Sequence, residues 1–140
     1  SKDYVFDIDR FTSFEGDTGP YILYTIVRIK SILGKYREQG GDPTQAVIRD
    51  AQSEAQKALM LELAKFNTVI ESAYADTAPH KICAYIYDVA NAFNRFYHET
   101  KILTAEDEDE KAGYIALLGL TKEIFETCIG LLAFDAPEKM

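Results

Sequence analysis

The stretch DTGPYILYTIVRIKSILGKYRE, residues 17–38, decides the fold class. Its apolar positions Ile22, Ile26, Ile29, Leu33 and Tyr36 are spaced 4, 3, 4, 3, the repeat of a helix that buries one stripe. Asp17 or Thr18 offers a cap, and Pro20 is tolerated in a first turn, where its missing N–H has no intrahelical partner. A helix from about Pro20 to Glu38 is therefore expected. A second, polar and aromatic stripe runs along it: Tyr21, Tyr24, Arg28, Ser31 and Lys35. Gln39-Gly40-Gly41-Asp42-Pro43 ends the helix, since glycine takes positive φ readily and Pro43 cannot continue it.

Outward from this helix the pattern repeats. A long second helix is expected over about Thr44 to Tyr74, burying Ala55, Leu59, Leu63, Phe66, Ile70 and Ala73, with Glu62, Lys65 and Glu71 facing water. Asp76-Thr77-Ala78-Pro79 again pairs cap residues with a proline. It opens a third helix to about His98 that buries Ile82, Ile86, Val89, Phe93 and Phe96. Thr104-Ala105-Glu106-Asp107 resembles a capping box. A fourth helix to about Leu132 then buries Tyr114, Leu117, Ile124, Cys128 and Leu131, its acidic start suiting the positive end of the helix dipole. Four amphipathic helices with short connections make an all-α helical bundle.

Composition narrows the partners. At 140 residues the chain suits one domain, and nine Tyr with eight Phe at 47% hydrophobic content exclude a disordered tail. The formal charge is −8, from 15 Lys plus Arg against 23 Asp plus Glu, which argues against indiscriminate binding to a polyanion. Any nucleic-acid contact must be local and shape-specific. Cys83 and Cys128 sit inside apolar helical patterns without ligand spacing, as buried reduced thiols of a cytoplasmic protein do. No apolar run is long enough for a membrane span.

No catalytic or metal constellation is found. Neither His80 nor His98 follows a Glu by three residues, as a di-iron bundle requires, and no phosphate loop, dinucleotide fingerprint or nucleophile elbow occurs. What remains is the bend and helix from Phe14 to Leu33. Tyr21, Tyr24 and Arg28 are the residue types that stack on and hydrogen-bond the splayed bases of single-stranded RNA. The structural alternative is that both tyrosines half-bury against the next helix while Arg28 pairs with an acid.

Gly16-Asp17-Thr18-Gly19-Pro20-Tyr21, followed by Tyr24 and Arg28, is similar to the opening of the C-terminal domain of arginyl-tRNA synthetases, and KDYVFDIDRF resembles the approach to it. APHKICAYIYDVANAFNRFYHE, residues 78–99, resembles that family's Pro then Tyr-x-x-Asp-Leu-Ala-x-x-Phe-Asn-x-Phe-Tyr run. GLLAFDAPEKM resembles its Leu-Leu-Gly-Ile and Ala-Pro-x-x-Met terminus. The chain departs from the pattern at Leu23, where the family has Gln, at Tyr114-Ile115 in place of Arg-Leu, and at Leu132-Ala133-Phe134.

The resemblance implies the anticodon-binding bundle of a subclass of class I aminoacyl-tRNA synthetases. It implies residues 1–16 as a lead-in from a catalytic domain, 17–134 as the bundle and 135–140 as a tail. The partners implied are the anticodon loop of tRNA(Arg) and the catalytic domain of the same parent chain, with no DNA and no membrane. The His-Ile-Gly-His and Lys-Met-Ser-Lys-Ser signatures are missing, so arginine, ATP and magnesium are expected to be handled upstream, and no cofactor by this domain.

Every arginine codon has G in second place, so the matching anticodons share a middle C. By resemblance, the Gly16 to Pro20 loop approaches the RNA backbone, Tyr21 and Tyr24 contact bases, and Arg28 holds a phosphate or base. The Met140 carboxylate accepts from the cytosine amine. The competing expectations are a helical protein-interaction bundle without an RNA role and, against the lack of any catalytic constellation, a self-contained enzyme.

Overall fold

The computed structural model describes residues 18–135, with side chains for 18–133. Gly16, Asp17, Met140, the 1–16 lead-in and residues 136–140 lie outside the described residues. Every regular element within them is helical: α1 (Thr18–Glu38), a 3-10 turn (Pro43–Gln45), α2 (Glu54–Ala64), α3 (Phe66–Ala75), α4 (His80–Glu99) and α5 (Glu108–Asp135).

α1 buries Ile22, Ile26, Ile29 and Leu33 as its spacing requires, and adds Thr25 and Ile32. It ends in a Schellman turn. Gly40 at φ +93° turns the chain while the N–H groups of Gly40 and Gly41 donate to the carbonyls of Arg37 and Tyr36 at 2.9 and 3.0 Å. Lys35 and Arg37 occupy the last turn, where the dipole favours cations.

The expected second helix is not one helix. The Asp42 carboxylate accepts from the Thr44 N–H and hydroxyl at 3.0 and 2.7 Å, which holds its pKa below the usual carboxylate range and shapes the 3-10 turn. The chain then leaves helical geometry until Ser53, whose hydroxyl accepts from Gln56 N–H at 3.1 Å while the Gln56 side chain reaches back to Gln52 N–H at 2.7 Å. The intervening segment is tied to α5: Arg49 pairs with Asp109 at 3.6 Å, and its stem fills the space that a Cβ on the buried Gly113 would contest at 3.2 Å.

A second break falls at Lys65. The buried Tyr85 of α4 donates its hydroxyl to the carbonyls of Glu62 and Leu63 at 2.8 and 3.3 Å, satisfying acceptors at the end of α2. Ala55, Leu59, Leu63 and Ala73 are buried as expected, and Phe66 and Ile70 pack partly buried against the core.

Two expected caps are replaced by others. Neither Asp76 nor Thr77 caps α4. Asp76 pairs with Lys81 and Pro79 occupies the cap position without a side-chain bond, while Thr77 sits at φ +50° as the left-handed residue that ends α3. The N–H groups of Thr77 and Ala78 donate to the carbonyls of Tyr74 and Ala73 at 3.2 and 2.8 Å, the same Schellman turn that Gly40 makes. A β-branched residue is strained there by about 1–2 kcal/mol. Thr77→Gly is therefore expected to stabilise the fold by about 0.5–1 kcal/mol, after the added flexibility of the unfolded chain. Gly40→Ala, the reverse change, is expected to destabilise by about 1 kcal/mol. Urea midpoints measure both, and a destabilising Thr77→Gly would refute the strain.

At α5 the cap is Asp107, not Thr104: its carboxylate accepts from Asp109 N–H at 2.9 Å, and Glu108, Asp109 and Glu110 fill the first turn. Aspartate caps as well as threonine and adds a negative charge at the dipole's positive end.

α4 is the hub, packing against each of the other four helices. α5 is buried on more than its expected stripe. Beyond Tyr114, Leu117, Ile124 and Cys128, it buries Ile115, Leu118, Thr121, Phe125 and Ile129 completely, because α1 covers one side while α2 and α4 cover another. Cys83 and Cys128 are both buried, and burial pushes the Cys128 thiol up to about 12, away from reactivity. Among the described residues no helix is long and apolar enough to cross a membrane.

Candidate nucleic-acid interface

The polar stripe of α1 meets a matching stripe of α4. Tyr21, Tyr24 and Arg28 face Tyr87, Asn91, Asn94 and Tyr97. Both helices present polar side chains at i, i+3 or i+4 and i+7, so two parallel rows meet along the crossing.

Asn94 is the centre of the cluster. Arg28 Nη1 donates to Asn94 Oδ1 at 2.7 Å, and Asn94 Nδ2 lies 3.0 Å from the Thr25 hydroxyl, 3.0 Å from the Ala90 carbonyl and 3.2 Å from the Tyr21 hydroxyl. Thr25 is fully buried and donates in turn to the Tyr21 carbonyl at 3.0 Å. Tyr21 donates to Asn91 Oδ1 at 2.7 Å, and its ring meets Tyr87 at 5.7 Å.

Arg28 is held mainly by rings. Its Cζ lies over Tyr24 at 4.8 Å and over Tyr97 at 4.1 Å from the ring centroids, and Nη2 donates to the Tyr24 hydroxyl at 2.6 Å. Among the described residues no carboxylate pairs with it. An arginine so fixed keeps its charge available to an anionic partner, and its planar group is pre-oriented.

The cluster stands on the core. Tyr97 stacks on Phe93 at 6.3 Å and 28°, Phe93 meets Phe96 at 6.5 Å, and Phe96 meets Tyr114 edge-on at 5.5 Å. Phe93 and Phe96 are completely buried. Burial also pushes the Tyr114 hydroxyl up to about 12, helped by its bond to Glu110 at 2.8 Å.

The two tyrosines named from sequence part company here. Tyr21 is half-buried, with its ring against Tyr87 and its hydroxyl bonded to Asn91 of α4 rather than packed on the next helix. Tyr24 leaves 58% of its surface exposed, with a cation beside its ring, and is the surface able to accept a base. Thr18, Gly19 and Pro20 form the first turn of α1 rather than a loop, with Gly19 buried and Pro20 exposed. Gly16, Asp17 and Met140 lie outside the described residues. Lys30, on the same helix, lies 3.7 Å from Glu126 of α5, and Lys122 shares that carboxylate at 3.3 Å, so the α1 cations do not form one unbroken positive face.

Asn91, Asn94, Tyr87 and Tyr97 were not among the residues expected from sequence to form the site. Their signal was present: Tyr87, Asn91, Asn94 and His98 are spaced 4, 3, 4 along α4, a polar row beside its apolar one. Only the crossing of α1 and α4 gives that row a partner.

Residues 22–140 match the DALR anticodon binding domain family. The chain is similar to the arginine–tRNA ligase of Agathobacter rectalis, at 67% identity over 142 residues, covering 100% of this chain and 24% of that protein. It is similar also to the arginine–tRNA ligases of Alkaliphilus oremlandii (51%, with 100% and 24% covered) and Maricaulis maris (44%, with 100% and 23% covered). The chain thus spans about a quarter of the length of the curated relatives it matches. A helical bundle with a polar and aromatic row between two of its helices, matched to one family over nearly its whole length, belongs to the DALR anticodon-binding domains.

Proposed function

We propose that this chain is the anticodon-reading part of an arginyl-tRNA synthetase and recognises the anticodon loop of tRNA(Arg), chiefly through its middle cytosine. The observation that carries the reading is the exposed ring of Tyr24 beside the Arg28 guanidinium, which is itself seated on Tyr97. An unpaired base stacking on Tyr24 contributes about 1–3 kcal/mol, and the adjacent guanidinium supplies a charged donor to a phosphate or base oxygen.

On this reading Gly16 to Pro20 lie against the loop backbone, and the Met140 carboxylate accepts from the cytosine amine, a donor that uracil lacks. Residues 1–16 lead in from a catalytic domain, 17–134 form the reading bundle and 135–140 complete the site. Arginine, ATP and magnesium are handled by that catalytic part, in the cytoplasm where tRNA is charged. The acidic balance of −8 keeps the chain from adhering to RNA at large and leaves affinity to these few contacts.

The test is a titration of the chain at low salt with a tRNA(Arg) anticodon stem-loop beside loops whose middle C is changed to G or U. The expected result is a penalty of about 1–3 kcal/mol for either change, the usual cost of a mismatched readout. Equal affinity for the three loops would leave the protein-interaction bundle as the better reading.

A further inference from the structure

We infer that Arg28 sets the hydrogen-bond polarity of the whole surface, so that Asn91 presents its amide N–H2 outward and takes an acceptor oxygen of an unpaired nucleotide. The inference rests on the proposed RNA reading and adds a residue that neither composition nor resemblance singled out.

A guanidinium only donates, so the Asn94 atom 2.7 Å from Arg28 Nη1 must be the carbonyl oxygen. That orients Asn94 Nδ2 toward Thr25, Ala90 and Tyr21, all oxygen acceptors. An amide nitrogen cannot accept, so the Tyr21 hydroxyl accepts from Asn94 and directs its single proton to the other neighbour, Asn91, at 2.7 Å. Asn91 must therefore turn its oxygen inward and its Nδ2 away. Asn91 is exposed, and among the described residues no group accepts from that Nδ2.

The same cation acts on the other side. Arg28 Nη2 donates to the Tyr24 hydroxyl at 2.6 Å, which leaves the Tyr24 proton to point outward. Asn91 and Tyr24 both offer donors as a result, and among the described residues no carboxylate pairs with Arg28. RNA offers such a surface phosphate oxygens, base carbonyls and 2′-hydroxyls, mostly acceptors. Outward-pointing donors beside a guanidinium are how a net acidic chain favours RNA at one place and not elsewhere. Chains of polarised hydrogen bonds also strengthen one another, which holds Asn91 in this orientation before any ligand arrives.

The experiment uses the 140-residue chain, selectively labelled at asparagine side chains, and the tRNA(Arg) anticodon stem-loop. Adding the loop is expected to move the Asn91 Nδ2 resonance. Asn91→Leu, similar in size and without a donor, is expected to weaken binding about 3- to 10-fold, the range of one hydrogen bond. Asn91→Asp, which still accepts from Tyr21 but presents an acceptor outward, is expected to weaken it more, with a penalty that persists at high salt, where simple charge repulsion is screened.

The source of the acceptor follows from a pairwise cycle. The Asn91→Leu penalty is expected to vanish against a loop with a methylphosphonate at the contacted linkage if a phosphate is taken, or against a base analogue lacking the carbonyl if a base is. Undiminished binding by Asn91→Leu, or an unmoved Asn91 resonance while the wild-type loop binds, overturns this inference alone. Absence of any wild-type binding overturns the RNA reading and this inference with it.

Discussion

Arg28→Met is expected to weaken binding of the tRNA(Arg) anticodon stem-loop by about 2–3 kcal/mol, roughly 30- to 150-fold, the sum of a charged hydrogen bond and part of a cation–π contact. Methionine keeps the apolar stem that packs along α1 and removes the fork that contacts Tyr24, Tyr97 and Asn94. The fold is expected to lose only about 1 kcal/mol, because the half-buried Asn94 oxygen loses its donor while the two protons of its amide nitrogen keep acceptors among Thr25, Ala90 and Tyr21.

The two losses separate by experiment: a titration reads the first and a urea midpoint the second. Salt dependence then identifies the contact. If Arg28 meets a phosphate, the slope of log K against log salt falls in magnitude by about 0.7 in the variant, the value for one charge on a single strand. If it meets a base, the slope is unchanged. A loss below threefold in affinity would remove Arg28 from the interface and with it the reading built on its stacking.

Phe93→Ala is expected to destabilise the chain by about 3–5 kcal/mol, which is a large share of the 5–15 kcal/mol that holds a typical domain together. Phe93 is completely buried on the hub helix, meets Phe96 at 6.5 Å and backs Tyr97 at 6.3 Å. Its loss opens a cavity where α4 packs and also removes the support of the ring on which Arg28 rests. A gentler variant separates the two roles. Phe93→Leu is expected to cost about 1–2 kcal/mol of stability and keep the fold, yet to weaken loop binding, because a branched side chain supports the Tyr97 plane poorly. Denaturant midpoints with an unchanged m-value, together with the stem-loop titration, check both. A Phe93→Ala cost under about 1 kcal/mol would show that the site does not stand on this core.

How much of this was legible in the sequence depends on the range of the interaction that decides each feature. Helix type and buried face are set by contacts three and four residues apart, so the stripe Ile22, Ile26, Ile29, Leu33 and the stripe Ile82 to Phe96 could be read directly and are buried as written. The helix ends were less legible. The strong helix formers lie after Ser53, whereas Thr44, Val47, Ile48 and Asp50 are weaker ones, and there the chain runs as a 3-10 turn and an irregular segment in which Asp42 captures Thr44 and Arg49 lies over Gly113 of a helix more than fifty residues away. The break at Lys65 likewise falls where a distant hydroxyl, that of Tyr85, bonds the carbonyls of Glu62 and Leu63.

The site divides in the same way. Sequence by itself determined an all-α chain, its apolar faces, and a polar row carrying Tyr21, Tyr24 and Arg28, because each is fixed by helical period and residue chemistry. Only the tertiary structure decided that Tyr21 lies half-buried against α4 while Tyr24 stays exposed, and that Asn91, Asn94 and Tyr97 complete the cluster. Exposure and hydrogen-bond direction belong to a pair of helices rather than to either one. Tyr21 and Tyr24 are the same residue type three positions apart, and α4 passes beside the first and leaves the second open.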